Sequence, residues 1–158
     1  MPPITAILHT HDDRLRVARA IESLRSCDEV LVIDHGSGDD TCDIARRFGA
    51  RVIAAAGNQA STEPYLREAT HDWIFCLQPT ESLAESLEAS LLEWKLAVHS
   101  SDDVYELAIQ EEADVGWDSS VRETRLVHRD HKRWIGWKPV PPEHPVALEG
   151  CLTRFRTP

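Results

Sequence analysis

The sequence lacks any run of about eighteen apolar residues, so no transmembrane helix is expected. Its start, Met1-Pro2-Pro3-Ile4-Thr5, lacks the basic segment and apolar core of a signal peptide, so a cytoplasmic location is expected. It has no Cys-x-x-Cys pair. Cys27, Cys42, Cys76 and Cys151 lie far apart, which argues against structural zinc and for reduced, mostly buried thiols. Basic residues are scarce, 17 against 27 acidic ones, and the net charge of -10 repels a nucleic-acid backbone or an anionic membrane. A local arginine cluster can still receive a nucleotide. Internal repeats and low-complexity linkers are also absent.

What is present fits one soluble α/β domain spanning 1–158. The chain has 158 residues, 42% of them apolar and 28% charged, enough for a core and too ordered in pattern for disorder. Ile4-Thr5-Ala6-Ile7-Leu8-His9 reads as a buried strand. Val17, Ala18, Ile21 and Leu24 then recur at helical spacing, with Asp12 or Asp13 as the expected cap. Glu29-Val30-Leu31-Val32-Ile33-Asp34 is a second strand, aliphatic enough for burial on both faces, as in a parallel sheet. A turn at His35 to Asp40 leads to a helix with Thr41, Ile44, Ala45 and Phe48 on one face and Gly49 as its stop.

Arg51 to Ala55 is a third strand, Gly57 to Thr62 a polar loop, and Glu63 to Ala69 a short helix with Pro64 in its first turn. Asp72 to Leu77 is a fourth strand ended by Pro79. Leu83, Leu87, Leu91, Trp94 and Val98 then mark a long amphipathic helix. Tyr105 to Ile109 and Val121 to His128 read as antiparallel strands. Pro139 to Pro145 is a loop with four prolines in seven residues. Alternation of strand and helix in the first half implies a parallel sheet with right-handed crossovers. Ligands of such sheets bind beyond the carboxyl ends of the strands, so His9 to Asp13, Asp34 to Ser37 and Gln78 to Glu81 should line one rim.

In this order the segments resemble family 2 glycosyltransferases, and most closely the lipopolysaccharide core glycosyltransferase-like branch. Ile4 to Asp13 is similar to the family's opening strand and Thr-x-Asn-Glu turn. Asp34-His35-Gly36-Ser37-Gly38-Asp39-Asp40-Thr41 is similar to its Asp-x-Gly-Ser-x-Asp-x-Thr motif, the most specific piece. Asp72 to Leu77 matches the strand that leads into the Asp-x-Asp site. Arg125-Leu126-Val127-His128-Arg129 resembles the Arg-Leu-Phe-Arg-Arg segment, and Trp134-Ile135-Gly136 the aromatic-Gly after it. The resemblance implies a three-layer nucleotide-diphospho-sugar transferase fold of the glycosyltransferase A (GT-A) type, a mixed sheet with a parallel N-terminal half. It also implies sugar transfer from a nucleotide-sugar donor to a glycan or lipid-linked acceptor, in cell-envelope glycan synthesis. Asp34 would bond the nucleobase or ribose, with Thr10, Asp12 and Ser37 completing the nucleotide pocket.

The physical case for Asp34 stands beside that resemblance: a carboxylate at a strand end, followed by glycines, accepts well from imino and hydroxyl donors. The other reading is that Asp34 and Ser37 only shape the turn. The departure lies at the fourth strand. Where the family has Asp-x-Asp-Glu, this chain has Gln78-Pro79-Thr80-Glu81, and both aspartates are gone. Mg²⁺ or Mn²⁺ favours charged oxygen ligands, and Gln78 and Thr80 offer neutral ones, so no cofactor is firmly implied. The same loss leaves a protein that binds a nucleotide, glycan or protein partner without turnover as the rival reading.

Other candidates each carry two readings. Glu143 stands near the family's His-Glu pair, with Pro142 before it and His144 after it, and reads as a general base or as a solvated loop carboxylate. His9, His11 and Asp12 form either a weak metal set or an ordinary polar strand end. Arg122, Arg125, Arg129, Lys132 and Arg133 form a basic stretch, for a phosphate or for solvent. Trp73 and Trp94 read as core, whereas Trp134 and Trp137 are acceptor-side or packing residues, with Arg125 as their acceptor-side companion. A homodimer through an exposed strand edge is left open.

Overall fold

The computed structural model describes residues 1–57 and 60–158, and of residues 119 and 120 the backbone only. The apolar runs of the first half become adjacent parallel strands. They are β1 (Ile4–Thr10), β2 (Glu29–Asp34), β3 (Arg51–Ala54) and β4 (Trp73–Leu77). Between them lie α1 (Val17–Glu22), α2 (Thr41–Arg47) and a 3₁₀ turn (Glu63–Glu68). β5 (Glu81–Leu83), α3 (Glu85–Trp94), β6 (Val104–Glu112), β7 (Trp117–His128), β8 (Trp134–Ile135), β9 (Lys138–Pro139) and β10 (Val146–Arg154) complete the chain. Eight strands form one mixed sheet in the order β3-β2-β1-β4-β7-β6-β10-β5, and β8 pairs with β9 apart from it.

β1, β2 and β4 are buried on both faces because their side chains alternate between two apolar clusters. Ile4, Ala6 and Leu8 of β1 meet Val17, Ala20 and Ile21 of α1, Ala45 of α2 and Leu87 and Leu91 of α3 on one face. Ile7, Leu31, Ile33, Ile74 and Cys76 point to the other face, under Tyr65, Ala69, Trp134 and Trp137. The second cover is thin: the 3₁₀ turn and the β8–β9 ribbon, not further α-helices. This is the mixed, half-parallel α/β sheet expected of a GT-A fold.

Several local expectations change. Neither Asp12 nor Asp13 caps α1 through its carboxylate. The amides of Arg16 and Val17 bond the Asp13 main-chain oxygen at 2.9 Å each, while the Asp13 carboxylate takes the His11 amide. Phe48 lies off the packed face of α2 and is exposed. The long helix from Leu83 does not form. Leu83 closes β5, which pairs antiparallel to β10, and the helix ends at Trp94 with Val98 fully exposed. β10 carries no clear strand signal in the sequence, because glycine and charge break its alternation. Gly150 explains its path: it has a φ of +91°, and a Cβ there would stand 2.5 Å from the Leu87 amide nitrogen. The strand bulges between Ala147 and Cys151 and lies against α3. In the 57–62 loop, residues 58 and 59 lie outside the described residues. All four cysteines are free.

Candidate functional site

The register sets the strand ends side by side. Thr10 pairs with Asp34 across β1 and β2, and Leu8 with Leu77 across β1 and β4. The three carboxyl ends therefore share one rim, and a cleft of about 790 Å³ opens over the part of it formed by β1, β2 and the neighbouring β3. Its walls are His9, Thr10, His11, Asp13, His35, Gly36, Ala55, Gly57 and Ala60. It is large enough for a nucleoside-sized ligand.

Asp34 sits at the edge of this cleft and is nearly buried. Its Oδ1 accepts from the Thr10 hydroxyl at 2.8 Å and the Ser37 hydroxyl at 2.6 Å, and its Oδ2 from the Ser37 amide at 2.9 Å. Burial opposes the charge, but the Ser37, Thr10 and Cys42 donors outweigh it and hold the carboxyl below its ordinary value. Asp12 takes a φ of +52° and clips the two loops together: its Oδ1 accepts from the Gly38 amide at 2.7 Å, and its own amide donates to Ser37 Oγ at 2.9 Å. Thr10, Asp12, Asp34 and Ser37 are thus brought into one hydrogen-bonded unit.

Sequence reasoning missed His35 and Thr62. The Thr62 hydroxyl donates to the Trp137 carbonyl at 3.0 Å, so its only proton is spent. His9 Nε2, 2.9 Å away, must then be the donor to Thr62. Neutral His9 carries its proton there, so its Nδ1 accepts from His35 Nε2 at 2.8 Å. The result is a directed chain, His35 to His9 to Thr62 to Trp137. Burial, and then the neighbouring His35, push His9 down to about 4. His11 turns away and meets the His35 carbonyl at 2.7 Å. Among the described residues no group of three or more His, Cys, Asp or Glu side chains is placed to hold a metal. The signal for His35 was its place inside the motif; Thr62 gave none.

At the end of β4 the picture is ionic. Glu81 is fully buried, and Arg125 reaches it with two bonds of 2.7 Å. Arg154 adds bonds of 3.0 and 2.9 Å to Glu81 Oε2, and the main-chain N–H of Gln78 donates at 2.9 Å to Oε1. Burial opposes the charge on Glu81, yet Arg125 and its hydrogen bonds hold the carboxyl low. Glu123 accepts from Arg125, Arg154 and Lys138 at 3.0, 2.9 and 3.0 Å. Against the cost of burial, these cations hold it at about 2. A divalent cation does not fit here: the one carboxylate left from the expected motif is saturated by guanidinium groups. Thr80 contributes its main-chain oxygen to the Phe155 amide at 2.9 Å.

Arg125 is not at an acceptor surface. It is fully buried, and its donors go to Glu81, Glu123 and the Cys76 carbonyl. Trp137 lies 4.7 Å from its guanidinium, and Trp134 donates from its indole to the His131 carbonyl at 2.9 Å; both are half-buried. The rest of the basic stretch is spread: Arg122 pairs with Glu106, Arg129 with Asp72, and Lys132 and Arg133 are exposed. Glu143 stands apart on the 140–145 loop, its side chain 90% exposed, 3.9 Å from His144.

A sheet of this order, with a cleft over the ends of β1, β2 and β3, is that of the GT-A fold. Solved structures agree on the fold. S. aureus TarS 1–349 in complex with UDP-GlcNAc aligns with a TM-score of 0.59 at 17% identity, over 72% of this chain and 36% of that one. Glucosyl-3-phosphoglycerate synthase from Mycobacterium tuberculosis, in complex with Mn²⁺, UDP and glucosyl-3-phosphoglycerate, aligns at 0.54 and 18%, over 68% and 44%.

By sequence, the chain is 34% identical over 108 residues to an uncharacterized glycosyltransferase of Rickettsia felis, and 32% identical over 108 residues to one of Rickettsia typhi. These alignments take in 65% of this chain and 37% and 36% of the relatives, so the chain spans about a third of the proteins it matches. No family model matches. The chain is therefore similar to part of proteins named as glycosyltransferases and shares the GT-A fold with the solved neighbours. Among the described residues no helix is long and apolar enough to cross a membrane.

Proposed function

We propose that residues 1–158 form a single donor-binding domain of a glycosyltransferase that transfers a sugar from a nucleotide-sugar to a glycan or lipid-linked acceptor, in cell-envelope glycan synthesis. The observation that carries this reading is the cleft at the joined ends of β1, β2 and β3, edged by the Asp34–Ser37 turn. Relatives named as glycosyltransferases and fold neighbours captured with UDP or UDP-GlcNAc support it. Asp34 meets imino or hydroxyl donors of the nucleotide by exchanging its weak Cys42 thiol donor for them. Gly36, at a φ of +74°, lets a ligand approach the main chain.

In the transfer, an acceptor oxygen bonds to the anomeric carbon as the carbon–oxygen bond to the diphosphate breaks. The acceptor's proton passes to a base, for which Glu143 is the candidate, and the nucleoside diphosphate leaves. Trp134 and Trp137 are the aromatic groups offered to an acceptor. A second reading, binding without turnover, is favoured by one observation: Glu81, the remaining carboxylate of the altered motif, is sealed in ion pairs.

Thermal shift with a panel of nucleoside diphosphates tests donor binding, since a ligand of the folded state raises its melting temperature. A shift is expected for at least one nucleotide, and Asp34→Asn should remove it. A shift that survives Asp34→Asn refutes the role of Asp34, and no shift with any nucleotide refutes donor binding.

A further inference from the structure

Beside Gln78 to Glu81, the segment that stands where the family resemblance expects acidic metal ligands, the structure holds a cluster of ion pairs. The Arg154 guanidinium is surrounded by three carboxylates. Its Nε and Nη2 donate to Glu81 Oε2 at 3.0 and 2.9 Å, Nη2 also donates to Glu123 Oε2 at 2.9 Å, and Nη1 donates to Glu111 Oε1 at 2.5 Å. Arg125 closes the same group from inside, and Lys138 closes it from the rim at 3.0 Å from Glu123. Three carboxylates thus meet three fixed cations. A planar guanidinium that bonds two or three carboxylates at once, without shedding a tight water shell, competes well with a hydrated metal ion. The group lies against the altered motif: the main-chain N–H of Gln78 bonds Glu81, and Phe155, next to Arg154, bonds the Thr80 carbonyl.

We propose that Arg154, backed by Arg125, has replaced the divalent cation at the end of β4, so that this site takes no Mg²⁺ or Mn²⁺ and nucleotide binding in the neighbouring cleft is indifferent to divalent metal. The second clause rests on the donor-binding reading above; the first does not. The replacement spans four strands. Glu81 is on β5, Glu111 on β6, Glu123 and Arg125 on β7, and Arg154 on β10, so the cation is built into the sheet.

Two measurements on the wild-type chain separate the clauses. Free Mn²⁺ is followed by electron paramagnetic resonance as protein is added, with no nucleotide present. The expected result is no loss of the free-ion signal at millimolar concentration. Loss of signal with a stoichiometric endpoint overturns the proposal. UDP is then titrated by calorimetry in EDTA and again in Mn²⁺, and the two affinities should agree within about twofold. Tightening by about tenfold or more in Mn²⁺ overturns metal indifference while leaving donor binding intact. If UDP binds in neither buffer, donor binding of that nucleotide falls, and the Mn²⁺ titration alone decides the first clause. Arg154→Met keeps much of the aliphatic volume and leaves Glu81, Glu111 and Glu123 facing one another. It is expected to gain Mn²⁺ binding, and a folded variant that remains blind to Mn²⁺ refutes the claim that the guanidinium excludes the metal.

Discussion

At the ends of β1 and β2 the polar side chains are satisfied by main-chain amides, hydroxyls and one another, and they border an open cleft. A few strands away, where β5, β6, β7 and β10 meet, the polar side chains are charged and paired, and Glu81 and Arg125 are closed off from solvent. Both regions lie at strand ends of one sheet, yet the first is held by neutral donors and the second by fixed charges. Asp34 is bonded by the neutral Thr10 and Ser37 donors and by the weak Cys42 thiol, which a ligand's donor can displace. Glu81 is bonded by two arginines and an amide with no exposed surface. A region arranged the first way can receive a ligand at little cost. A region arranged the second way must first break ion pairs in low dielectric.

The sharpest way to break this contrast is to remove one buried charge. Arg125→Met leaves Glu81 and Glu123 short of their main partner and is expected to cost about 3–5 kcal/mol of folding stability in urea denaturation. Glu81→Leu combined with Arg125→Met should recover much of that loss, because replacing both members of a buried pair is far less costly than stranding one. A loss of less than about 1 kcal/mol for Arg125→Met would make the pair no better than an exposed one and erase the distinction between the two regions.

The same contrast decides how much could be read in advance. The parallel half was legible because aliphatic runs, glycine turns and Asp34-x-Gly-Ser repeat local rules of strand, cap and turn. β1, β2 and β4 needed no knowledge of distant residues. The ionic half depends on pairs far apart in the chain: Arg154 and Glu81 are 73 residues apart, and Arg125 and Glu81 44. Arg125 and Glu123 did share one face of a strand, two residues apart, which was the one local hint of a charged interior. Leu83 was misread because its spacing to Leu87 and Leu91 is helical, while the pairing with Leu152 that makes it a strand is long-range. Thr62 was invisible for the same reason: its partners are His9 and the Trp137 carbonyl.

Acid should destabilise the ionic half most steeply, by discharging it. Glu123 has a folded value of about 2 against an ordinary 4.5, so its contribution is complete above pH 4.5 and is lost as pH falls toward 2. Glu81 shifts in the same direction, for the same cationic neighbours. The urea midpoint should therefore fall across that window, and Glu123→Gln should flatten the fall while lowering the plateau above it. An equally steep fall in the variant would assign the acid sensitivity to other carboxylates.

The cleft half has a milder and smaller response, and it starts at higher pH. His9 is held at about 4 against an ordinary 6.5, so the unfolded chain binds the extra proton between those values and the folded chain does not. Stability is complete above pH 6.5 and declines as pH falls toward 4, after which His9 is protonated in both states. Protonation at Nδ1 would set two donors against each other, because His35 Nε2 already donates there, and the chain from His35 through Thr62 to Trp137 would have to reorganise. His9→Asn should remove most of the slope between pH 6.5 and 4.5 while leaving the steeper acid fall below it unchanged, as read from urea midpoints taken across the range. A variant that loses both slopes together would mean that the cleft and the ion cluster unfold as one electrostatic unit, and the difference between the two halves would then be one of packing alone.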